Sequence, residues 1–187
     1  MTYSTIQPPF TLQFREMAKK DLIAYATWFH DSTPGRIAEL TKAVQSTSGY
    51  ESWEPNATPE SLEDLGRWLE GQVEMRKKDA DEIAETRAKL TFPIEIPDEE
   101  LTNRTFSLAM DIGMYFAQVV LKNLPGTRWD QPLGSKKFAD YGQPVVMGFG
   151  TVPLNPVRVM VTTAYAISRK RPAHLRGLYD TWARMKR

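Results

Sequence analysis

The 187-residue sequence contains no cysteine and only two histidines, His30 and His174. The absence of cysteine excludes a disulfide scaffold, a cysteine-ligated zinc or iron–sulfur centre, and catalysis by a thiol. Neither histidine has a second histidine at the short spacing typical of a metal site, and no glycine-rich phosphate-binding motif occurs. We therefore expect no metal and no other cofactor.

Long apolar runs are missing as well. A membrane-spanning helix needs about 20 mainly apolar residues, whereas the longest stretch without a charged side chain, residues 141–157, is interrupted by three glycines and three prolines. Residues 1–10 lack the basic start and apolar stretch of a secretory signal. The sequence therefore predicts a cytoplasmic protein without membrane contact.

The formal net charge is only +1, from 24 Lys and Arg residues against 23 Asp and Glu residues. This balance argues against a protein that binds polyphosphate or acidic membranes through its overall charge. The charge is unevenly placed, because residues 169–187 carry +6 and the rest of the chain carries −5. Nucleic-acid binding by this basic segment is disfavoured, because Tyr179 and Trp182 fall on its apolar stripe rather than on a stacking surface.

Several segments have the apolar spacing of amphipathic helices, and two of them are predicted over residues 15–29 and 173–185. His30 would then end the first of these helices. Three more helices are predicted to begin at a capping residue followed by proline. Proline is tolerated there because the N–H that it lacks would have no hydrogen-bond partner in the first turn of a helix. These starts are Thr33-Pro34, Thr58-Pro59 and Asn155-Pro156.

Residues 101–124 predict a central helix, because apolar side chains cover most of its circumference. Residues 127–130 and 143–149 have the composition of short strands joined by a loop. The sequence therefore predicts an α+β fold: a mainly helical single domain, residues 1–187, with a small antiparallel sheet, a hairpin, in the C-terminal half. Residues 72–98 are predicted to be a charged excursion from it, a solvated helix or mobile segment that ends in a proline-containing linker.

Asp111 is the candidate site residue with the sharpest signal, because it is the only charged residue between Arg104 and Lys122 on the central helix. A carboxylate among apolar groups can have a raised pKa and act as an acid or a base. Helical spacing places Asp111, Tyr115 and Gln118 on one polar stripe. This stripe is either a structural seam or the lining of a site that faces the two strands.

Aromatic residues supply the remaining candidates. Trp28, Trp68 and Trp182 have helical spacing and are predicted to anchor the core. Trp53 in a polar loop and Trp129 on a strand, together with Tyr50 and Tyr141, form either an exposed binding surface or pins that hold loops to the core. Pinning is the favoured interpretation.

The segments Asp111–Phe116 (DIGMYF), Gln143–Phe149 (QPVVMGF) and Asn155-Pro156-Val157 are the most specific parts of a pattern that spans nearly the whole chain. With this pattern the sequence resembles a family of small uncharacterised bacterial proteins. The resemblance implies a shared fold and transfers no catalytic residue. By analogy, small cysteine-free bacterial proteins of this kind are often stand-alone binding partners of other proteins, including immunity proteins of toxin systems.

No catalytic constellation is visible, so the sequence favours a non-enzymatic protein that binds a protein partner. Its most concrete form is a toxin-neutralising immunity protein. The alternative is a small-molecule enzyme or ligand-binding protein that uses Asp111, Tyr115 and Gln118. The oligomeric state stays open.

Overall fold

The computed structural model describes residues 3–92 and 94–186. In these ranges the chain forms α1 (Lys19–Gln45), α2 (Ser61–Glu70), β1 (Met75–Lys77), α3 (Ala80–Ala88), β2 (Glu99–Leu101), α4 (Asn103–Asn123), β3 (Arg128–Asp130), β4 (Val145–Met147), α5 (Pro156–Ser168) and α6 (Leu175–Met185). Strand β1 pairs with β2 and β3 pairs with β4, each antiparallel and in a separate sheet. The predicted mainly helical α+β class is confirmed.

Helix α4 is the centre of the fold, and 14 of its 21 residues are buried. It begins at the cap Thr102, whose hydroxyl accepts a hydrogen bond from the Thr105 N–H at 3.2 Å. Helices α1 and α5 both pack against it. A Cβ atom at Gly113 would lie 3.0 Å from the backbone of Pro156 and Val157, so this glycine permits the close approach of α4 and α5.

Helix α1 is one continuous helix, so the predicted break between residues 29 and 33 is wrong. Pro34 lies inside it, and the Thr33 hydroxyl donates to the Phe29 carbonyl at 2.8 Å instead of capping a new helix. Proline cannot donate to the carbonyl of His30, which weakens the helix locally. Packing outweighs this cost, because the same face of the helix is buried both before and after Pro34. That face consists of Leu22, Tyr25, Phe29, Ile37, Leu40 and Val44.

Of the other two predicted helix starts, the one at Asn155-Pro156 is confirmed and the one at Thr58-Pro59 is shifted. The Asn155 side chain accepts a hydrogen bond from the Arg158 N–H at 3.0 Å, with Pro156 at the first helical position. Near Thr58, a single turn precedes α2, and the Thr58 carbonyl accepts from the Ser61 N–H at 3.2 Å. The prediction therefore placed the start of α2 only a few residues early.

The predicted C-terminal strands and helix are also present. Strands β3 and β4 fall within residues 127–130 and 143–149, and Trp129 lies opposite Val146. Helix α6 begins two residues later than predicted, after His174, whose backbone takes a left-handed conformation with φ of 44°.

The charged excursion predicted at residues 72–98 is closed at its base by β1 and β2, and we call residues 72–101 the excursion from here on. Its helix, α3, buries none of its residues, as a solvated helix should. Arg76 on β1 pairs with Glu82 of α3 and with Glu100 of β2. The strand pair was not predicted, because β1 and β2 consist mainly of charged residues, which are uncommon in strands.

The N-terminal segment, residues 3–18, crosses the outer side of α1 and α4. Its apolar side chains pack on a small core cluster formed by Tyr25 and Phe29 of α1 and by Met110 and Met114 of α4. The partly buried members that cover this cluster are Ile6, Phe10, Phe14, Met17, Trp28, Trp129 and Val157. The segment is therefore part of the packed structure.

Candidate functional site

The polar stripe of α4 is buried where it contains Asp111. This residue has no exposed surface, and the Arg36 side chain of α1 reaches both of its oxygens. Arg36 Nε lies 2.8 Å from Asp111 Oδ1, and a terminal guanidinium nitrogen lies 2.7 Å from Oδ2. Such a two-pronged contact is the strongest form of a carboxylate–guanidinium pair.

Two further residues complete what we call the Asp111 network: Tyr3, Arg36, Ser107 and Asp111. The Tyr3 hydroxyl donates to Asp111 Oδ2, accepts from Arg36 at 2.9 Å, and lies 2.7 Å from Ser107 Oγ. Ser107 Oγ in turn accepts from the Ile6 N–H at 2.7 Å. The network therefore fastens the N-terminal segment to both α1 and α4.

Burial raises the pKa of Asp111, while the hydrogen bonds from Arg36 and Tyr3 oppose that rise. Burial also raises the pKa of Tyr3, so its phenol stays neutral and donates to the carboxylate. Both Asp111 oxygens are occupied and neither faces solvent. The carboxylate is thus placed to hold the fold together rather than to reach a substrate.

Tyr115, one turn further along α4, holds the loop before α2. Its hydroxyl accepts from the Ala57 N–H at 3.0 Å and lies 2.6 Å from Ser61 Oγ. The Trp53 ring contacts the Tyr115 ring edge-on at 5.5 Å, and its indole N–H donates to the Ser61 carbonyl at 3.0 Å. Trp53 and Tyr115 are both buried, and the contacts of Trp53 fit its predicted pinning role.

The end of the stripe is more open. Gln118 is half-buried, and Lys122 is exposed with its amine donating to the Asn56 carbonyl at 2.8 Å. The partners of the stripe thus lie on the N-terminal segment, α1 and the loop before α2. The hydrogen bonds do not support the alternative in which the stripe faces β3 and β4.

The other two aromatic candidates lie elsewhere. Trp129 is half-buried and packs against His30 and Phe29 of α1, with ring centroids 4.9 and 5.8 Å away. Tyr141 is buried and lines a shallow cleft of about 240 Å³ beside Phe14. The six candidate residues therefore do not converge on one site, and Asp111, Tyr115, Trp53 and Trp129 hold different parts of the chain together.

Asp140 is a second buried carboxylate, which the sequence did not single out. It accepts hydrogen bonds from Asn155 Nδ2 at 2.9 Å and from the Arg158 guanidinium at 3.0 Å. Asn155 also donates to Gln143 Oε1 at 2.8 Å. These contacts hold the loop between β3 and β4 to the start of α5. In the sequence, nothing distinguishes Asp140 from other polar loop residues.

The excursion carries the most exposed large apolar side chains of the described residues. Phe92 is 75% exposed and Ile94 is 63% exposed, and Leu90 beside them is 36% exposed. We call these three residues the apolar tip. From the sequence this stretch was predicted to be a linker, although apolar residues within a charged segment are a usable signal for a contact surface.

The excursion is also the acidic part of the molecule. Between positions 72 and 101 there are nine acidic and five basic residues, a net charge of −4. Most of the −5 carried by residues 1–168 therefore lies here. The apolar tip therefore belongs to an acidic segment, whereas the segment that follows α5 is basic.

Within residues 3–92 and 94–186, no group of three or more histidine, aspartate or glutamate side chains is arranged to hold a metal ion. In the same ranges, no helix combines the length and apolar character needed to cross a membrane. Comparison of the chain with protein-family models, curated proteins and solved structures found no match.

Proposed function

We propose that this protein acts by binding a protein partner, and that the apolar tip of the excursion is the contact. The exposure of Phe92 and Ile94 carries the proposal. An exposed apolar cluster rimmed by polar residues is typical of an interaction surface. An aromatic side chain such as Phe92, which would become buried in a pocket of the partner on binding, is a common anchor of such a contact.

The charge around the tip indicates what the partner presents. Glu95, Asp98 and Glu99 follow the tip closely and are exposed. An apolar pocket flanked by Lys and Arg would complement both features, since matched charges orient partners and speed their association. The expected partner is therefore a basic protein with an apolar pocket.

A protein-binding role also suits the way the excursion is built. Helix α3 adds nothing to the core, and the base of the excursion is fixed by β1, β2 and the ion pairs of Arg76. A contact surface of this kind can vary without loss of the fold. The alternative enzyme site at Asp111, Tyr115 and Gln118 has less support, because the first two side chains are fully engaged in holding the chain together.

The most concrete form of the proposal is neutralisation of a toxic protein, by analogy with the small cysteine-free bacterial proteins that act as immunity proteins. The partner would then stop growth when produced alone in the host cell. Production of the wild-type chain would restore growth, and a chain without the apolar tip would not.

The experiment compares three tagged chains produced in the native host: wild type, F92S/I94S, and the control V152S/M185S. Val152 and Met185 are also exposed, at 45% and 42%, but lie outside the excursion. We expect one basic protein to co-purify with wild type and control and to be lost with F92S/I94S. The isolated pair should form a defined complex by light scattering.

Two results would overturn the proposal. One is the same set of co-purifying proteins with all three chains, which would place any contact elsewhere. The other is that the protein that no longer co-purifies with F92S/I94S is a second copy of this chain and not a different protein. The tip would then be a self-association surface.

A further inference from the structure

A cavity of about 390 Å³ lies where the N-terminal segment crosses α4 and α5, and we call it the N-terminal cavity. Its walls are mainly apolar and come from all three elements. Besides Pro8, the apolar lining residues are Ile6, Leu12, Phe106, Met110, Val157 and Val161. Ligand pockets for small molecules have this size and this apolar character.

None of the described residues that line the N-terminal cavity is charged. Ser107, which also lines the cavity, is already hydrogen-bonded to the Tyr3 hydroxyl and the Ile6 N–H. The remaining polar side chains, Thr5, Gln7 and Asn103, belong to the lining at the ends of these elements. A charged ligand would lose its hydration without gaining a partner, so the chemistry favours an uncharged one.

Two lining residues are left unusually open. Leu12 is 37% exposed and Phe106 is 36% exposed. Leu12 also has a backbone φ of 57°, a left-handed conformation that is unfavourable for leucine. A ligand between these two side chains would remove their apolar surface from water.

The N-terminal segment is fixed on both sides of the cavity. The Asp111 network holds it at Tyr3 and Ile6, and Phe10 packs edge-on against Tyr25 and Trp28 at 5.6 and 6.0 Å. Among the described residues, positions 7–9 make no hydrogen bond to α4 or α5. The segment thus spans the cavity as a strap held at its two ends.

We propose that the N-terminal cavity binds one small, uncharged, largely apolar molecule, with a single hydrogen-bonding group placed at Thr5, Gln7 or Asn103. The proposal is independent of the protein contact at the apolar tip, because the two surfaces share no residue.

The test is a fluorescence titration of the full chain with N-phenyl-1-naphthylamine, a neutral apolar probe, and with 1-anilinonaphthalene-8-sulfonate, its anionic counterpart. We expect saturable binding of one neutral probe per chain and binding of the anionic probe weaker by about tenfold or more. V161F and V157F each place bulk in the cavity and should weaken neutral-probe binding by about tenfold. V152F adds the same bulk at an exposed site outside the cavity and should change nothing.

Absence of saturable binding, equal affinity for the two probes, or equal loss in V152F would each overturn the proposal. Circular dichroism and urea unfolding show which variants retain the fold. A second measurement needs no variant: NMR contacts from the bound neutral probe to the methyl groups of Met110, Val157 and Val161 support the site, and contacts only to other methyl groups contradict it.

Discussion

Arg36 on α1 and Asp111 on α4 lie 75 positions apart in the chain, yet both carboxylate oxygens of Asp111 are within 2.8 Å of the Arg36 guanidinium. Asp111 is fully buried, and the Arg36 side chain is 14% exposed. Removing one member of such a pair leaves a charge in a site from which water is excluded. The pair is therefore the main polar link between the two longest helices.

Substitution of Asp111 by Asn should lower the free energy of unfolding by about 3 kcal/mol, since it leaves Arg36 without its counter-charge. Urea unfolding at neutral pH measures the loss. The control is D64N, because Asp64 pairs with Arg67 on the surface and both side chains are more than half exposed. D64N should leave the midpoint essentially unchanged. An equal effect of the two substitutions would show that the Asp111 network does not hold the fold together.

The combined substitution R36M/D111L should cost less than the two single substitutions added together. Apolar residues of similar size replace a buried ion pair without leaving an unpaired charge. A double-mutant cycle in urea measures the coupling, and simple additivity would contradict the direct contact.

The two glycines of α1 and α4 should respond to alanine in opposite ways. A Cβ at Gly113 meets the backbone of Pro156 and Val157 at 3.0 Å, so G113A should push α5 away and cost about 1–3 kcal/mol. A Cβ at Gly35 meets nothing within 4 Å, so G35A should stabilise the helix by about 0.5–1 kcal/mol. Urea unfolding of both variants measures these changes in the free energy of unfolding. A stabilising G113A substitution would refute the close α4–α5 contact.

Pro34 costs helix α1 one backbone hydrogen bond. Replacement by Ala restores an N–H that can donate to the His30 carbonyl and should raise the free energy of unfolding by about 1–2 kcal/mol. Thermal and urea unfolding test this expectation. A destabilised P34A would show that the packing of α1 on α4 depends on the proline.

Part of the fold could be predicted from local sequence patterns. The burial of α4 follows from its own composition, and the start of α5 follows from the local chemistry of Asn155 and Pro156. The break at Thr33-Pro34 was wrong, because a local signal for a helix start was overridden by a buried face that continues on both sides. Local patterns therefore predicted elements well where packing did not oppose them.

The site residues were less accessible from sequence, for a different reason. A lone aspartate on an apolar helix requires a cation, but nothing in the sequence says that this cation is Arg36 or that Tyr3 joins it. The same holds for Tyr115, whose partners Ala57 and Ser61 lie more than 50 positions away. These pairings exist only once the helices are packed.

His30 should make stability depend on pH. Partial burial of its ring beside Trp129 lowers the pKa of His30, and Asp31 opposes this only in part. The unfolded chain, with its ordinary histidine pKa of about 6.5, then holds more protons than the folded chain, so stability is lost as the pH falls below that value. Urea unfolding between pH 8 and pH 5 should show a decline that is smaller in H30Q. The same decline in both proteins would assign it to other groups.

The apolar tip should be dispensable for folding. Phe92 and Ile94 are mostly exposed, so F92S/I94S should change the free energy of unfolding by no more than about 0.5 kcal/mol. Urea unfolding beside V152S/M185S provides the comparison. A large loss would mean that these side chains are buried in the folded chain, and the tip could not then serve as a free contact surface.

The contact between the apolar tip and a protein partner is tested in living host cells by photo-crosslinking. The photoreactive amino acid p-benzoylphenylalanine replaces Phe92 in one chain and Met185 in another, and the adducts formed on illumination are identified by mass spectrometry. We predict one discrete adduct with a basic protein from position 92 and none with that protein from position 185. No adduct from position 92, or the same adducts from both positions, would contradict the proposed function.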